Sequence, residues 1–281
     1  MPQITILQAL SQARRDIGDI DARMLLQSVL NVSHAHLIVH SDQALTLEQA
    51  QYLHQLTARR ARGEPVAYLI GEREFYGLNF KVTPAVLIPR PETELLVDLA
   101  LERISVDHPA KVLDLGTGSG AIAIAIARHR PHADITAVDS SADAVAVARI
   151  NARQLNASNV RIIETDWFDG LAEERFDLIV SNPPYVAAGD PHLTQGDLPF
   201  EPRAALTPGG DGLGCIRFII RSAAAHLVAG GMLLLEHGYD QAEACRQLLN
   251  NAGFSEGFSR VDLTGIMRIS GGVWEFSARN C

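Results

Sequence analysis

The sequence is short of several things, and each shortage closes off a class of protein. It has three cysteines, Cys215, Cys245 and Cys281, widely separated and without metal-ligand spacing. That excludes a disulfide scaffold and a zinc module, and it suits reduced thiols in the cytoplasm. No apolar run reaches the ~18–20 residues of a membrane span. The opening Met1-Pro2-Gln3-Ile4-Thr5 lacks the basic and apolar stretches of a secretory signal. A membrane partner is therefore not expected. Lysine is nearly missing: of 24 basic residues only Lys81 and Lys111 are lysines, against 33 acidic residues and a net charge of −9. Residues 1–85 carry eight charges of each sign, so the whole excess falls in 86–281. A protein that grips a duplex by its phosphates usually shows a basic face, so DNA is a disfavoured partner. What remains is ordinary globular usage, 47% apolar and 20% charged over 281 residues. That length suits roughly two domains.

Helix-like apolar spacing covers 4–13, 22–30 and 45–62, with breaks at Gly18, at Asn31-Val32-Ser33 and at Gly63-Glu64-Pro65. This predicts a helical bundle over 1–63. The stretches 66–71 and 75–82 are aromatic, β-branched and punctuated by glycine, which predicts a hairpin. Pro84, Pro89 and Pro91 then stiffen a connector that ends near residue 91. From Lys111 strands and helices alternate. Strands are expected at 111–115, 134–138, 160–164, 176–181 and 232–236, with 259–262 and 272–277 as candidates to finish the sheet. Helices are expected at 92–104, 121–130, 142–156, 212–228 and 241–252. The alternation predicts an α/β domain over 92–281, a mostly parallel seven-stranded sheet with helices on both faces.

Gly116-Thr117-Gly118-Ser119-Gly120 follows the first of these strands. In open α/β sheets ligands bind beyond the carboxyl ends of the strands, and glycine lets the backbone approach them closely. The third glycine comes one residue too early for a dinucleotide fingerprint. Asp114 would also repel a pyrophosphate. A cofactor with a cationic amino-acid tail, such as S-adenosylmethionine, fits better. Asp139 ends the next strand, about 20 residues on, where an acid accepts from ribose hydroxyls. The other reading is a helix cap, a duty that Ser140, Ser141 or Asp143 can fill instead, and the preceding glycine turn favours the ribose. Asp166 and Trp167 follow the third strand and suit an adenine amino group and ring face.

Asn182-Pro183-Pro184-Tyr185 ends the fourth strand. The prolines fix a rigid turn and donate no N–H. An NH₂ group there would meet the Asn182 amide oxygen, the Pro183 carbonyl and the flat face of Tyr185. Two acceptors aimed at the NH₂ hydrogens turn the nitrogen lone pair out of conjugation and stabilise positive charge as it develops. That is what methylation of an amide or an exocyclic amine requires.

Together these motifs resemble a class I S-adenosylmethionine-dependent methyltransferase with a Rossmann-like sheet. Phe75-Tyr76-Gly77, the connector from Leu87 to Glu94, Leu198-Pro199-Phe200-Glu201-Pro202 and Leu234-Leu235-Glu236-His237-Gly238 are similar to the HemK/PrmC family. The resemblance implies methylation of a glutamine side-chain nitrogen (N5) in the Gly-Gly-Gln loop of class I peptide chain release factors, leaving S-adenosyl-L-homocysteine. It implies that Gly116, Thr117, Gly118, Ser119 and Gly120 wrap the methionine part, with Asp139 at the ribose and Asp166 and Trp167 at the adenine. Asn182 touches both cofactor and substrate, and Pro183, Pro184 and Tyr185 complete the substrate grip. No metal is implied, and a monomer suffices. Two other readings stay open: an adenine-N6 or rRNA amine methyltransferase, and a non-catalytic module that binds a translation factor. The connector reads either as a wall of the site or as a rigid linker in which Glu92 and Thr93 start a helix. His34, His36 and His40 read as surface or packing residues, and His237 as a neighbour of the cofactor at most.

Overall fold

A computed structural model describes residues 4–275 of the chain. Its contacts fall into two units, 1–72 with 195–200, and 73–194 with 201–281. The smaller unit holds α1 (Ile6–Ile17), α2 (Asp19–Leu30), α3 (His34–Val39), α4 (Leu47–Ala61) and α5 (Val66–Ile70). Two helices begin later than their apolar spacing suggests, because Thr5 and Thr46 stand outside as caps. Each hydroxyl accepts from the N–H of a glutamine three residues on, and that glutamine's side chain accepts from the threonine N–H. This reciprocal pair satisfies two donors that a helix start leaves free. Ile6, Leu10, Leu25, Leu26, Leu53 and Leu56 fill the core. Arg60 pairs with Asp21 at 2.6 Å and with Asp197 at 3.1 Å, which fastens the segment 195–200 to this unit.

The expected hairpin is corrected in its first arm: 66–70 is a helix, not a strand. Pro65 fixes the backbone before it and accepts from the N–H groups of Tyr68 and Leu69, and Gly71 ends it in the left-handed region at φ 84°. Proline at the start and glycine at the stop outweigh the strand-like composition between them. The two-stranded ribbon is instead β1 (Glu72–Phe75) and β2 (Leu78–Lys81).

The larger unit continues with α6 (Glu94–Arg103), β3 (Lys111–Leu115), α7 (Ala121–His129), β4 (Asp134–Asp139), α8 (Ala142–Gln154), β5 (Val160–Glu164) and β6 (Phe176–Ser181). The short α9 (Arg203–Leu206) is followed by α10 (Gly214–Ala223), β7 (Leu227–Glu236), α11 (Ala242–Asn251), β8 (Phe254–Val261) and β9 (Met267–Trp274). The sheet order is β5-β4-β3-β6-β7-β9-β8. The five strands from β5 to β7 run parallel, and β9 and β8 close the edge antiparallel. The helix expected over 212–228 is shorter, and β7 starts five residues earlier than expected, at Leu227. Residues 276 and 277 of the last expected strand lie outside the described residues, as does Cys281.

The run from Ala121 to Ala127 is buried throughout as α7. One layer of core holds Ile122, Ile124, Ile126 and Val112; the other holds Leu113, Leu115, Ile216, Ile219 and Leu233. Successive residues of β3 point to opposite faces, so Val112 and Leu113 belong to different layers. The chain leaves β3 toward β4 and β5, then returns to place β6 on the other side. That reversal opens a crevice at the carboxyl ends of β3 and β6.

Candidate active site

The crevice holds a cavity of about 240 Å³. Of the residues singled out above, Gly116, Thr117, Gly118, Ser119, Asp139, Asp166, Trp167, Asn182 and Pro184 line it. Gly120, Pro183 and Tyr185 are not on its wall. Gly116, Gly118 and Gly120 take φ of 69°, 56° and 82°. These values are strained for residues with a Cβ. A Cβ on Gly118 would meet no atom within 4 Å, so the backbone there lies open. Gly120 differs: its Cβ would fall 2.8 Å from Ile124 Cδ1 and 3.3 Å from Ala148 Cβ. Its small size serves packing against α7 and α8 instead of wrapping a ligand.

Asp139 orders the turn from the neighbouring strand. Its Oδ2 accepts from Gly118 N–H at 2.8 Å and its Oδ1 from Ser141 N–H at 2.9 Å. Ser141 caps α8 by accepting from Ala144 N–H at 3.2 Å, so that duty does not fall to Asp139. Each Asp139 oxygen retains a lone pair for a hydroxyl donor. Asp114 stands off the cavity. Its Oδ2 accepts the Thr117 hydroxyl at 2.7 Å and Ala123 N–H at 3.3 Å, Oδ1 has no partner, and burial pushes its carboxyl up to about 7. It closes the turn from within. Trp167 holds a left-handed φ of 45°, and a Cβ on Gly116 would lie 3.7 Å from its ring. The open glycine backbone, the Asp139 acceptors and the Trp167 ring fit the methionine, ribose and adenine parts of S-adenosylmethionine.

The opposite wall is held by side chains from distant parts of the chain. Asn182 Nδ2 donates to Thr93 Oγ1 at 3.2 Å, which leaves its Oδ1 as the acceptor. The Tyr185 phenol donates to Glu236 Oε1 at 3.1 Å. Gln241 Nε2 donates to the Tyr185 carbonyl at 3.0 Å while its Oε1 accepts from Gly238 N–H at 2.8 Å. Gly212, at φ 81°, has no room for a Cβ: it would lie 2.3 Å from the Tyr185 oxygen. Glu236 is 1% exposed, and burial pushes its carboxyl up to about 7 against the pull of the Thr93 and Tyr185 hydroxyls and of Arg268. Burial, and then Glu236, push the Tyr185 phenol up as well.

The connector is part of this wall. Pro89, Arg90 and Thr93 line the cavity, Arg90 pairs with the buried Glu201, and Ile88 N–H donates to Glu201 Oε2 at 3.3 Å. Thr93 caps no helix with its side chain. His237 does not reach the cavity. It is buried between the Gly238 carbonyl at 2.8 Å, which fixes the proton on Nδ1, and the Ser270 hydroxyl at 2.9 Å. Glu201 and Glu236 lie within the sequence motifs without a role of their own there, and neither Gln241 nor Gly212 carries a sequence signal that marks it for the site. Only the buried carboxylates beside charged or hydroxyl partners could have been sought from the sequence, by asking what an acid does inside an apolar strand end.

A Rossmann-like parallel sheet with an antiparallel edge, a glycine turn answered by an acid on the next strand, and an amide acceptor across the crevice define a class I S-adenosylmethionine-dependent methyltransferase. Comparison with known proteins narrows the class. Residues 92–213 match the methyltransferase small domain and residues 5–71 the PrmC N-terminal domain. The chain is 52% identical over 254 residues to the release factor glutamine methyltransferase of Bordetella pertussis, covering 90% of this chain and 94% of that one. It is 47% identical over 253 residues to the one from Escherichia coli, covering 90% and 89%. Among solved structures, the hMettl16 catalytic domain overlays with a TM-score of 0.58 at 16% identity, covering 80% of this chain and 83% of that one. A methyltransferase from Pyrococcus furiosus gives 0.54 at 19%, covering 79% and 98%. At these identities the structural likeness speaks to the fold. The chain belongs to the HemK/PrmC family of release factor glutamine methyltransferases.

Proposed function

We propose that this enzyme methylates the side-chain nitrogen N5 of the glutamine in the Gly-Gly-Gln loop of class I peptide chain release factors. It does so in the cytoplasm and as a monomer, with residues 1–63 serving substrate recognition. When bound, S-adenosylmethionine supplies a methyl group on a sulfonium and leaves as S-adenosylhomocysteine. The residues of this chain do the rest. An amide nitrogen is a poor nucleophile because its lone pair is delocalised into the carbonyl. Asn182 Oδ1 and the Pro183 carbonyl accept from its two hydrogens, and Tyr185 packs on the amide plane. Held this way, the nitrogen is turned out of conjugation, its lone pair faces the methyl, and the acceptors stabilise the charge that develops on it. The methylated nitrogen is then acidic and releases its proton without a dedicated base.

The observation that carries this reading is the direction of the Asn182 amide. Its nitrogen is committed to Thr93, so an oxygen is presented on the wall of a cavity that also carries Asp139. The acidic balance of 86–281 favours a protein substrate over a polyanion. The test offers labelled S-adenosylmethionine with three acceptors: a purified release factor, duplex DNA and ribosomal RNA. Label is expected on one glutamine of the release factor. Label on nucleic acid, with none on the release factor, overturns the proposal.

A further inference from the structure

The hairpin of β8 and β9 turns at the same end of the sheet as the crevice. Ser181 of β6 pairs with Leu235 of β7, and Glu236 of β7 pairs with Ile269 of β9. Asn182, Glu236 and Ile269 therefore stand at one level, and residues 261–268 project past it. β9 lies two strands from β6, so the turn stands about 10 Å to the side of Asn182. The His237 N–H donates to the Arg268 carbonyl at 2.9 Å, which ties the projecting turn to the strand end that carries Glu236. The turn is apolar on its outside. Leu263 is fully exposed, and Val261, Ile266 and Met267 are exposed with it, as is Tyr239 in the loop after β7. The turn is also held in one shape. Asp262 Oδ1 accepts from the Thr264 N–H at 2.8 Å, the Thr264 hydroxyl at 2.6 Å and the Ile266 N–H at 3.1 Å, and Oδ2 accepts from Arg268 Nε at 3.2 Å. The Asp262 N–H donates to the Ile266 carbonyl at 2.8 Å. A leucine held out on an ordered turn loses little further freedom when a partner covers it.

We propose that the turn between β8 and β9, led by Leu263, is a docking surface for the release factor and takes an apolar patch of the folded domain that carries the Gly-Gly-Gln loop. The proposal rests on the reading of the substrate given above. Two arguments select this occupant. The loop itself offers little to hold, because its two glycines have no side chain, so recognition has to come from the protein around it. The loop also approaches Asn182 from beyond the carboxyl ends of the strands, where the turn projects. A folded domain of ~100 residues has a radius of gyration of about 13 Å. With its loop at Asn182, the body of such a domain extends over a turn about 10 Å away. Single exposed apolar residues are ordinary, whereas a cluster of them marks a contact surface. An apolar contact of this kind suits a protein and gives no hold on a polyanion.

The experiment measures kcat and KM for transfer to a purified release factor by the wild type, Leu263→Asp, Leu263→Lys, Leu263→Met and Val106→Asp. Release factor is also titrated into each enzyme loaded with S-adenosylhomocysteine. Affinity for S-adenosylhomocysteine, the thermal midpoint and the sedimentation of each enzyme are recorded alongside. Transfer by the wild type is the control on the parent reading: its absence overturns that reading, whereas the following outcomes bear on the turn alone. Leu263→Asp and Leu263→Lys should each raise KM and weaken release-factor affinity roughly 20-fold, the loss of one leucine's burial. A rise with either sign of charge marks an apolar contact and not a long-range field. Values of kcat and S-adenosylhomocysteine affinity should stay within about twofold of wild type, because the side chain is fully exposed in the free enzyme. Leu263→Met should keep KM within about threefold. Val106 is exposed too but precedes β3, at the opposite end of the sheet, so Val106→Asp should leave KM unchanged. Wild-type KM and affinity in both charged variants would overturn the proposal, as would an equal rise in Val106→Asp. So would a wild-type dimer that Leu263→Asp separates while KM stays the same, since the turn would then serve a second copy of the chain.

Discussion

The two walls of the crevice are built by different means. On the β3 and β4 side, the cofactor wall is backbone. Its shape comes from three glycines within five residues, and its order from one carboxylate, Asp139, that accepts the Gly118 and Ser141 N–H groups. On the β6 and β7 side, the Asn182 side chain lines the crevice, and it and the turn behind it are held by other side chains. Asn182, Tyr185 and the turn between them are set by Thr93, Gly212, Glu236 and Gln241, which come from three separate stretches of chain. The difference matches what each wall does in the proposed reaction. Binding a flexible cofactor needs close approach, which small residues and exposed N–H groups provide. Turning one amide plane needs acceptors fixed in direction, and a side chain is fixed only when its own neighbours are.

Variants on the two walls should therefore fail in different ways. The largest effect is expected for Asn182→Ala. Losing one of two acceptors aimed at developing charge should lower the rate of transfer about 10²–10³-fold, read by single-turnover labelling. Next comes Gly212→Ala. The new methyl would sit on the Tyr185 carbonyl at a φ that disfavours it, so roughly 2–4 kcal/mol of stability should go. Thermal unfolding would show a midpoint lower by several degrees, with transfer impaired even below it. A midpoint like that of the wild type would show that the acceptor wall yields. Asp139→Ala follows: affinity for S-adenosylmethionine should weaken roughly 30-fold, about 2 kcal/mol for lost charged hydrogen bonds, with kcat at saturation much less affected. The smallest effect is Ser141→Ala, beside Asp139 but devoted to capping α8. It should cost about 1 kcal/mol of stability and leave cofactor affinity unchanged. A marked loss of affinity there would blur the line between cap and ligand.

The same contrast explains what was legible in the sequence. The cofactor wall is local: a turn, then an acid about one strand and helix later, so spacing alone locates it. The strands 160–164 and 176–181 are also read to the residue, because apolar runs bounded by polar and turn residues leave no choice of end. The acceptor wall is legible at Asn182-Pro183-Pro184-Tyr185 and nowhere else. Nothing in the order of residues says that Thr93, in a connector that reads either as a wall of the site or as a linker starting a helix, turns its hydroxyl to Asn182. Nor does it say that Gly212 lies against a carbonyl 27 positions earlier. Those facts arise only when β6 and β7 pair and the connector packs on them. The helix at 66–70 was hidden for another reason. Val66, Tyr68 and Ile70 favour strand, and the decision belongs to Pro65 and Gly71 at the ends.

The division of labour between the walls is tested most directly by calorimetric titration of S-adenosylmethionine into Asn182→Ala, with Asp139→Ala as reference. The account predicts that Asn182→Ala binds within about tenfold of wild type although it has nearly lost transfer, while Asp139→Ala binds markedly more weakly. Equal loss of affinity in the two variants would contradict it, because Asn182 would then be holding the cofactor instead of the substrate amide.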